Sequence, residues 1–223
     1  MMVIIAYLSG SLPFGYWAGR LKGVDIRQHG SGNIGATNVI RVLGKQVGIP
    51  VFIADMLKGF LPTLLAQIWL VRIGASDDTA AMVGVFCAAA AVLGHTYTFW
   101  LGFKGGKGVA TSAGALLGLA PAALLVVLVT WLVVFATSRY VALASIVSAI
   151  VLPIAMAVIM TVEHRWNYVL LGLGLVLGVF VVVRHRTNIL RMLSGTENRF
   201  ERKGRGKGKG RGKGLAKRKG NTR

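Results

Sequence analysis

Long apolar segments are the feature that most limits what this chain can fold into. Each approaches the ~20 residues that a helix needs to cross the hydrocarbon core of a bilayer. The 223 residues are 54% hydrophobic and 15% charged, which is far more apolar than a soluble domain of this length requires. The clearest segments are Met1 to Gly19, Val47 to Val71, Ala80 to Phe99, Val141 to Ile159 and Tyr168 to Val183. The sequence therefore predicts an all-α, polytopic integral membrane protein.

The apolar segment from Val109 to Ala136 needs a separate interpretation. As one helix it would be ~42 Å long at ~1.5 Å per residue, and Pro121 interrupts its middle. If it is two helices, every Lys and Arg outside the spans falls on one side of the membrane except Arg72 and Arg165. The positive-inside rule assigns that side to the cytoplasm. The prediction is seven transmembrane helices, with the N-terminus outside and the C-terminus inside.

The N-terminal segment predicts a retained helix. Met1 leads directly into apolar residues, and the first positive charges, Arg20 and Lys22, follow the segment instead of preceding it. This order is unlike a cleaved signal peptide and places the end of the first helix in the cytoplasm. Cys87, the single cysteine, lies within an apolar span, where we expect it to pack and not to ligate a metal.

The C-terminal residues 201–223 differ from the membrane domain, residues 1–200. They are almost entirely Gly, Lys and Arg, and they contribute strongly to the formal net charge of +19. Such a composition cannot bury a core, so we predict a disordered cytoplasmic tail. A solvated extension and a tail that binds anionic lipid or RNA both remain open, and no specific nucleic acid partner is expected.

A first polar cluster extends from Gly30 to Asn38 and continues to Arg41. Its glycines let backbone N–H groups approach a ligand, while hydroxyl, amide and guanidinium groups are available to bind it. The pattern predicts a cradle for an anion. The alternative is an ordinary turn followed by a helix that begins near Thr37.

A second polar cluster extends from Gly94 to Gly108, where Lys104 and Lys107 flank two glycines. Ammonium groups beside a helix start suit a phosphate. A nucleotide-binding P-loop fits less well, because Leu101 replaces its first glycine and Gly108 replaces its Ser or Thr. A cytoplasmic turn with positive charges is the structural alternative.

A third polar cluster follows the last apolar segment, from His185 to Glu197. Helical spacing places His185 and Asn188 on one face, where both can contact a single ligand. Capping and interfacial placement of these side chains are the alternatives.

Together the three clusters resemble the bacterial glycerol-3-phosphate acyltransferase family of the PlsY type, which uses acyl phosphate as donor. The similarity extends from Leu8 to Glu197 and is looser at Ala142, where related sequences often have serine. Its principal motifs are Ser31-Gly32-Asn33-Ile34-Gly35-Ala36-Thr37-Asn38 with Arg41, Gly94-His95 with Gly105-Gly106-Lys107-Gly108, and His185, Asn188, Arg191, Gly195 and Glu197. Further matches are Gly10 to Gly15, Asp55 with Lys58 and Gly59, and Ser138 to Tyr140 with Ser145.

This resemblance implies transfer of a fatty acyl group from acyl phosphate to the 1-hydroxyl of glycerol 3-phosphate, giving lysophosphatidic acid and phosphate. The catalytic residues that it implies are Ser31, Arg41, Lys107, His185 and Asn188. The substrate-binding set adds Gly32, Asn33, Thr37, Asn38, Lys104, Gly105, Gly106, Gly108, Ser138 and Ser145. Either His185 or an oxygen of the acyl phosphate is expected to accept the proton of the attacking hydroxyl, with the substrate oxygen preferred.

Three further charged residues are assigned structural roles: Asp55, Lys58 and Glu197. Asp55 and Lys58 lie three residues apart within a span, where an ion pair limits the cost of membrane-buried charge. The resemblance implies no metal and no cofactor. It also implies an active site on the cytoplasmic face of the bacterial inner membrane, with a peripheral acyl-phosphate-producing enzyme as a partner. An anion transporter is the rival class, but its binding groups should lie near the midplane of the membrane.

Overall fold

The computed structural model describes residues 1–200, and this part of the chain is helical. The predicted disordered tail, residues 201–223, lies outside the described residues. The α-helices are α1 (Met2–Gly10), α2 (Phe14–Leu21), α3 (Ala36–Leu43), α4 (Lys45–Arg72), α5 (Asp77–Thr96), α6 (Val109–Leu119), α7 (Pro121–Ser138), α8 (Val141–Val162), α9 (Tyr168–Arg184) and α10 (Arg186–Leu193). Short 3-10 turns lie at Ile26–Gln28 and Phe99–Leu101.

Four long helices have the length and composition of membrane spans. They are α4, α5 with its extension to Leu101, α7 and α8. Helices α9 and α10 give a fifth candidate span if they are counted together, and they are bent by 51° relative to each other. The all-helical prediction is confirmed, whereas the count of seven spans and the direction of the termini stay predictions.

The first apolar segment is not the single helix that the sequence suggested. Helix α1 ends at Gly10 and α2 begins at Phe14, with Pro13 between them. Proline has no backbone N–H and its ring clashes with the preceding turn, so it favours a break in a helix, as Pro13 does here. The polar residue Arg20 consequently lies at the end of a second, short helix.

The division of the segment near Pro121 is confirmed. Helix α6 ends at Leu119, and α7 starts with Pro121, a residue favoured at the first position of a helix. The chain also reverses direction between these helices, because the start of α6 and the end of α7 both contact the C-terminal residues 188–199. Lys107, just before α6, contacts Asn188 after α9. Arg199 Nε donates a 3.0 Å hydrogen bond to the Ser138 carbonyl at the end of α7.

Small residues allow the helices to approach closely. A Cβ atom at Gly114 would overlap the backbone of Met56 in α4, and one at Gly178 would lie 2.7 Å from the Ala149 carbonyl oxygen in α8. Helix backbones in lipid commonly pack through such positions. Cys87 is completely buried among small residues of α1, α4 and α5, as its apolar surroundings predicted.

Candidate active site

The three polar clusters meet at one cavity of about 300 Å³. Its polar walls come from loops and helix ends, and its apolar walls come from the interiors of α6, α7, α8 and α9. The polar lining includes Ser31, Asn33, Thr37, Asn38, Arg41, Lys107, His185, Asn188 and Glu197. The apolar lining includes Leu116, Leu124, Val127, Leu128, Trp131, Leu132, Leu152, Leu177 and Val181. The cavity therefore combines a cationic, hydrogen-bonding end with a long hydrophobic wall.

Asn38 organises the first loop, which is the part of the first polar cluster from Gly30 to Gly35. It is 1% exposed, and its Oδ1 accepts a 2.8 Å hydrogen bond from the Ser31 N–H. Its Nδ2 lies 2.8–3.1 Å from the carbonyl oxygens of Ile26, His29 and Asn33. The polar atoms of Asn38 therefore form hydrogen bonds within the loop and with the residues just before it. This residue, which the sequence placed among the substrate ligands, lines the cavity and also holds the loop in shape.

The loop that Asn38 shapes has two faces. Ser31, Asn33 and Thr37 line the cavity, whereas Gly32 does not. The Asn33 Oδ1 accepts a 2.7 Å hydrogen bond from the Gly35 N–H, a turn that commonly precedes a helix. Helix α3 then begins at Ala36. Ser31 and Thr37 are thus the hydroxyl groups that the first cluster places at the cavity.

Arg41, on α3, supplies the first cationic group of the cavity. Its guanidinium carbon lies 5.4 Å from the centre of the Phe200 ring, a distance suited to a cation–π contact. Burial lowers the pKa of Arg41, while the nearby Glu197 carboxylate opposes this shift. An arginine remains protonated under these conditions. Arg41 therefore presents a permanent, half-buried positive charge.

The second loop is the part of the second polar cluster from Gly102 to Gly108, and its glycines allow close packing. The Gly105 N–H donates to the Thr96 carbonyl at 2.9 Å, and the Gly106 N–H donates to the His95 carbonyl at 3.0 Å. A Cβ atom at Gly106 would overlap the His95 ring. The expectation that these two N–H groups bind a phosphate is therefore not met, because the end of α5 already accepts their hydrogen bonds.

Lys107 supplies the second cationic group. It lines the cavity, and its Nζ donates a hydrogen bond to the Asn188 Oδ1. Burial lowers the pKa of Lys107 to about 8, an effect that Glu197 opposes and that nearby arginines reinforce. Most molecules carry the positive charge at pH 7. By contrast, Lys104 is exposed and lines a separate cavity, so the predicted convergence of the two lysines is not observed.

His185 lies in the break between α9 and α10. Its Nδ1 is 2.8 Å from the Val181 carbonyl oxygen. Because a carbonyl only accepts hydrogen bonds, Nδ1 carries the proton and Nε2 is left with a lone pair. Burial, followed by the positive charge of Lys107, lowers the pKa of His185 to about 4. The imidazole is therefore neutral at pH 7 and can accept a hydrogen bond from a hydroxyl.

Asn188 connects Lys107 to a buried carboxylate. Its Nδ2 donates a 2.8 Å hydrogen bond to the Glu197 Oε1, and Arg191 Nε lies 3.0 Å from the Glu197 Oε2. The side chain of Glu197 is only 6% exposed. Glu197 thus fixes the amide that receives the Lys107 ammonium, in agreement with a structural role.

Asp55 and Lys58 form the expected ion pair at 2.7 Å, and each side chain is 3% exposed. Lys58 also donates a 2.7 Å hydrogen bond to the Leu12 carbonyl at the break after α1. Asp55 additionally lines the cavity together with His95, whose Nδ1 lies 3.6 Å from the Asp55 Oδ1. His95 was not predicted as a site residue, although its motif with Gly94 is visible in the sequence.

The two predicted serines are placed differently. Ser138 is not among the cavity-lining residues, and its Oγ donates to the Val134 carbonyl at 2.6 Å at the end of α7. Ser145 does line the cavity, where its Oγ donates to the Val141 carbonyl at 2.9 Å and accepts from Trp131 Nε1 at 3.2 Å. Its hydroxyl links α7 and α8 beside the apolar wall.

Comparison with known proteins identifies the chain that builds this cavity. The glycerol-3-phosphate acyltransferase family profile matches residues 1–195. A glycerol-3-phosphate acyltransferase of Geobacter sulfurreducens is 47% identical over 201 residues, which cover 90% of this chain and 97% of that protein. That of Aquifex aeolicus is 45% identical over 199 residues, which cover 89% of this chain and 97% of that protein. The chain belongs to the glycerol-3-phosphate acyltransferase family.

Solved structures of this family have the same fold. The crystal structure of PlsY, an integral membrane glycerol 3-phosphate acyltransferase, in its glycerol 3-phosphate form is 43% identical with a TM-score of 0.78. It matches over 90% of this chain and 94% of that one. The lysophosphatidic acid form gives a TM-score of 0.76 at 42% identity, with the same coverage. The apolar helices of this family member are accordingly those of an integral membrane protein.

Proposed function

We propose that this protein transfers a fatty acyl group from acyl phosphate to the 1-hydroxyl of glycerol 3-phosphate, releasing phosphate and 1-acyl-glycerol 3-phosphate. One observation carries the proposal. Arg41, Lys107 and His185, whose Nε2 is left as an acceptor, line a cavity whose remaining walls are largely hydrophobic. Such a cavity suits two phosphate groups and one long acyl chain.

The excess of positive charge addresses the main electrostatic obstacle to this reaction. Two like unit charges ~4 Å apart repel by about 4 kcal/mol at an effective dielectric constant of about 20. Arg41 and Lys107 offset that repulsion within the cavity, where Glu197 is the nearby carboxylate that faces Lys107 through Asn188. Arg41 offers a planar, bidentate group and Lys107 a point charge, which are complementary ways to hold phosphates.

The chemistry requires attack by a hydroxyl oxygen on the acyl carbonyl carbon. The new ester C–O bond forms as the bond from the acyl carbon to the phosphate oxygen breaks, and the hydroxyl proton leaves with the phosphate. A pKa of about 4 makes His185 a weak base, so its Nε2 is better suited to orienting the hydroxyl. We assign proton acceptance to an oxygen of the acyl phosphate. Ser31, Thr37 and Asn188 position the reactants.

The acyl chain is proposed to lie along the hydrophobic wall. Leu128 and Trp131 of α7 line this wall together with Leu152 of α8 and Leu177 of α9. Only 6% of α7 is buried within the protein, so most of this helix is available to lipid. An acyl chain that enters between α7 and the neighbouring helices would remain in an apolar environment along its whole length.

The membrane arrangement is also part of the proposal. We infer seven spans with the N-terminus outside, and a cavity that opens to the cytoplasm of a bacterial cell at its inner membrane. The distribution of Lys and Arg supports this orientation. Delivery of a lipid-like acyl phosphate to that face would suit a peripheral enzyme that produces it.

The choice of donor tests this function. Purified protein in liposomes would receive glycerol 3-phosphate with acyl phosphate, acyl-CoA or an acyl carrier protein thioester. We expect acyl phosphate alone to support turnover, with the acyl group at the 1-hydroxyl of the product by NMR. Equal turnover with either thioester would contradict the proposed donor, and acylation at the 2-hydroxyl would contradict the proposed acceptor atom.

A further inference from the structure

The first and second loops separate the catalytic cavity from another cavity. This second cavity has a volume of about 320 Å³. Its lining is Arg27, Gly32, Ile34, Phe103, Lys104, Gly105 and Arg184. None of these residues lines the catalytic cavity, although both loops contribute to each.

Neighbouring positions of each loop line opposite cavities. In the first loop, Ser31 and Asn33 line the catalytic cavity, whereas Gly32 lines the second. In the second loop, Lys107 lines the catalytic cavity and Lys104 the other. The two cavities are therefore back to back, with the glycine-rich loops as their shared wall.

The lining of the second cavity is cationic. Arg27, Lys104 and Arg184 contribute positive charges, and no lining residue within residues 1–200 is acidic. Asp25 offsets one of these charges, since it pairs with Arg27 at 2.7 Å. Bringing like charges together around a concave surface is unfavourable unless an anion is bound there.

Arg184 is held in place but is incompletely hydrogen-bonded. Its terminal nitrogen donates to the Gly106 carbonyl at 3.1 Å, and its guanidinium carbon lies 5.5 Å from the centre of the Tyr97 ring. Its Nε is buried and has no hydrogen-bond partner within residues 1–200. A buried donor without a partner is costly, so Arg184 lies beside the second cavity with hydrogen-bonding capacity that its own neighbours leave unused.

We propose that the second cavity is a binding site for a phosphate group, distinct from the catalytic cavity. Arginine nitrogens suit the oxygens of a tetrahedral dianion, and the exposed Lys104 adds a flexible point charge. The group can belong to inorganic phosphate or to the head group of an anionic phospholipid. Arg184 contacts the same loop that carries Lys107, so an occupant would stabilise the wall of the neighbouring cavity. This proposal does not depend on the identity of the acyl donor.

Binding of radiolabelled inorganic phosphate tests the site without any turnover. The full chain would be studied by equilibrium dialysis in nanodiscs of zwitterionic phosphatidylcholine. The double variant Arg41→Ala, Lys107→Ala removes the cations of the catalytic cavity. We expect it to retain one saturable phosphate site per chain.

Further variants in that background locate the remaining site. Lys104→Gln and Arg27→Gln should each weaken phosphate binding about tenfold, the effect of losing one charge-assisted contact. Lys22→Gln removes an exposed charge that does not line the cavity and should leave binding unchanged. Lys104 is exposed, so its variant reports on the site even if Arg27→Gln perturbs the loop. Two results would overturn the proposal. One is that Arg41→Ala with Lys107→Ala, without a further substitution, already abolishes phosphate binding. The other is that neither Lys104→Gln nor Arg27→Gln weakens the remaining binding.

Lipid composition identifies the source of the phosphate group. In nanodiscs that contain anionic phosphatidylglycerol, a bound head group would compete with inorganic phosphate and weaken its binding severalfold in the double variant. Unchanged binding would assign the site to free phosphate. Either result supports a phosphate site that depends on Lys104 and selects its occupant.

Discussion

Two groups of buried charges in this protein differ in how completely the protein neutralises them. In the Asp55–Lys58 pair, the ammonium contacts a carboxylate at 2.7 Å and a backbone carbonyl at 2.7 Å. In the cavity of the candidate active site, Arg41 and Lys107 share the influence of one carboxylate, Glu197, which already pairs with Arg191. The charges of Asp55 and Lys58 neutralise each other without a ligand. Arg41 and Lys107 retain positive charge, which we propose an anionic substrate neutralises.

The largest expected effect is on stability and comes from breaking the Asp55–Lys58 ion pair. Asp55→Asn removes the carboxylate and leaves Lys58 buried without its ionic partner, which costs about 3–5 kcal/mol in comparable buried pairs. Unfolding by SDS titration in detergent micelles measures the change in stability. Replacing both residues, as Asp55→Leu with Lys58→Met, should recover most of the loss. Wild-type stability of Asp55→Asn would show that the pair is not structural.

Removing either cation of the cavity, Arg41 or Lys107, should reduce turnover. Arg41→Ala and Lys107→Ala are each expected to reduce kcat/KM for glycerol 3-phosphate at least about tenfold, which corresponds to about 1.4 kcal/mol of binding or transition-state stabilisation. Lys45→Ala is a matched control, because Lys45 is exposed at the start of α4 and does not line the cavity. Full activity in either cavity variant would reject the role assigned to that residue.

The pH dependence of the reaction distinguishes the two cations. The pKa of Lys107 is lowered to about 8, so its charge is present below that pH and is lost above it. We expect kcat/KM to fall by up to about tenfold per pH unit above pH 8, since this parameter reports the free enzyme. Lys107→Arg should move the decline to higher pH, because arginine remains protonated. An unchanged alkaline limb in Lys107→Arg would assign the decline to another group.

Neutralising the shared carboxylate should have a smaller effect. Glu197→Gln removes the ion pair with Arg191 and the charge that raises the pKa of Lys107. We expect roughly a fivefold loss of kcat/KM, in line with about 1 kcal/mol for a partly exposed ion pair. The alkaline decline should also move below pH 8 in this variant. A decline that stays at the wild-type pH would show that Glu197 does not influence Lys107.

Much of this arrangement was predictable from the sequence, because lipid imposes strong constraints. Apolar runs located α4, α5, α8 and α9, and Pro121 with the distribution of charge indicated the break before α7. The motifs also predicted that Arg41, Lys107 and His185 belong to one site, and all three line the same cavity. These features depend on residue type and on the order along the chain.

Other features depend on backbone geometry that residue types do not reveal. Lys104 and Lys107 have similar surroundings in the sequence, yet they face different cavities, because the intervening Gly105 and Gly106 pair with the end of α5. Asn38 lines the cavity, as its motif predicted, but residue types did not indicate that three backbone carbonyls would surround its amide. Pro13 was visible in the sequence, although its effect on the first helix was missed.

Direct binding of glycerol 3-phosphate tests whether Arg41 and Lys107 form the site for its phosphate group. Calorimetric titration of the purified chain in nanodiscs, without acyl donor, separates binding from catalysis. We expect Arg41→Gln and Lys107→Met each to raise the Kd at least about tenfold and Lys45→Gln to leave it unchanged. Wild-type affinity in both cavity variants would show that these cations do not bind the substrate phosphate.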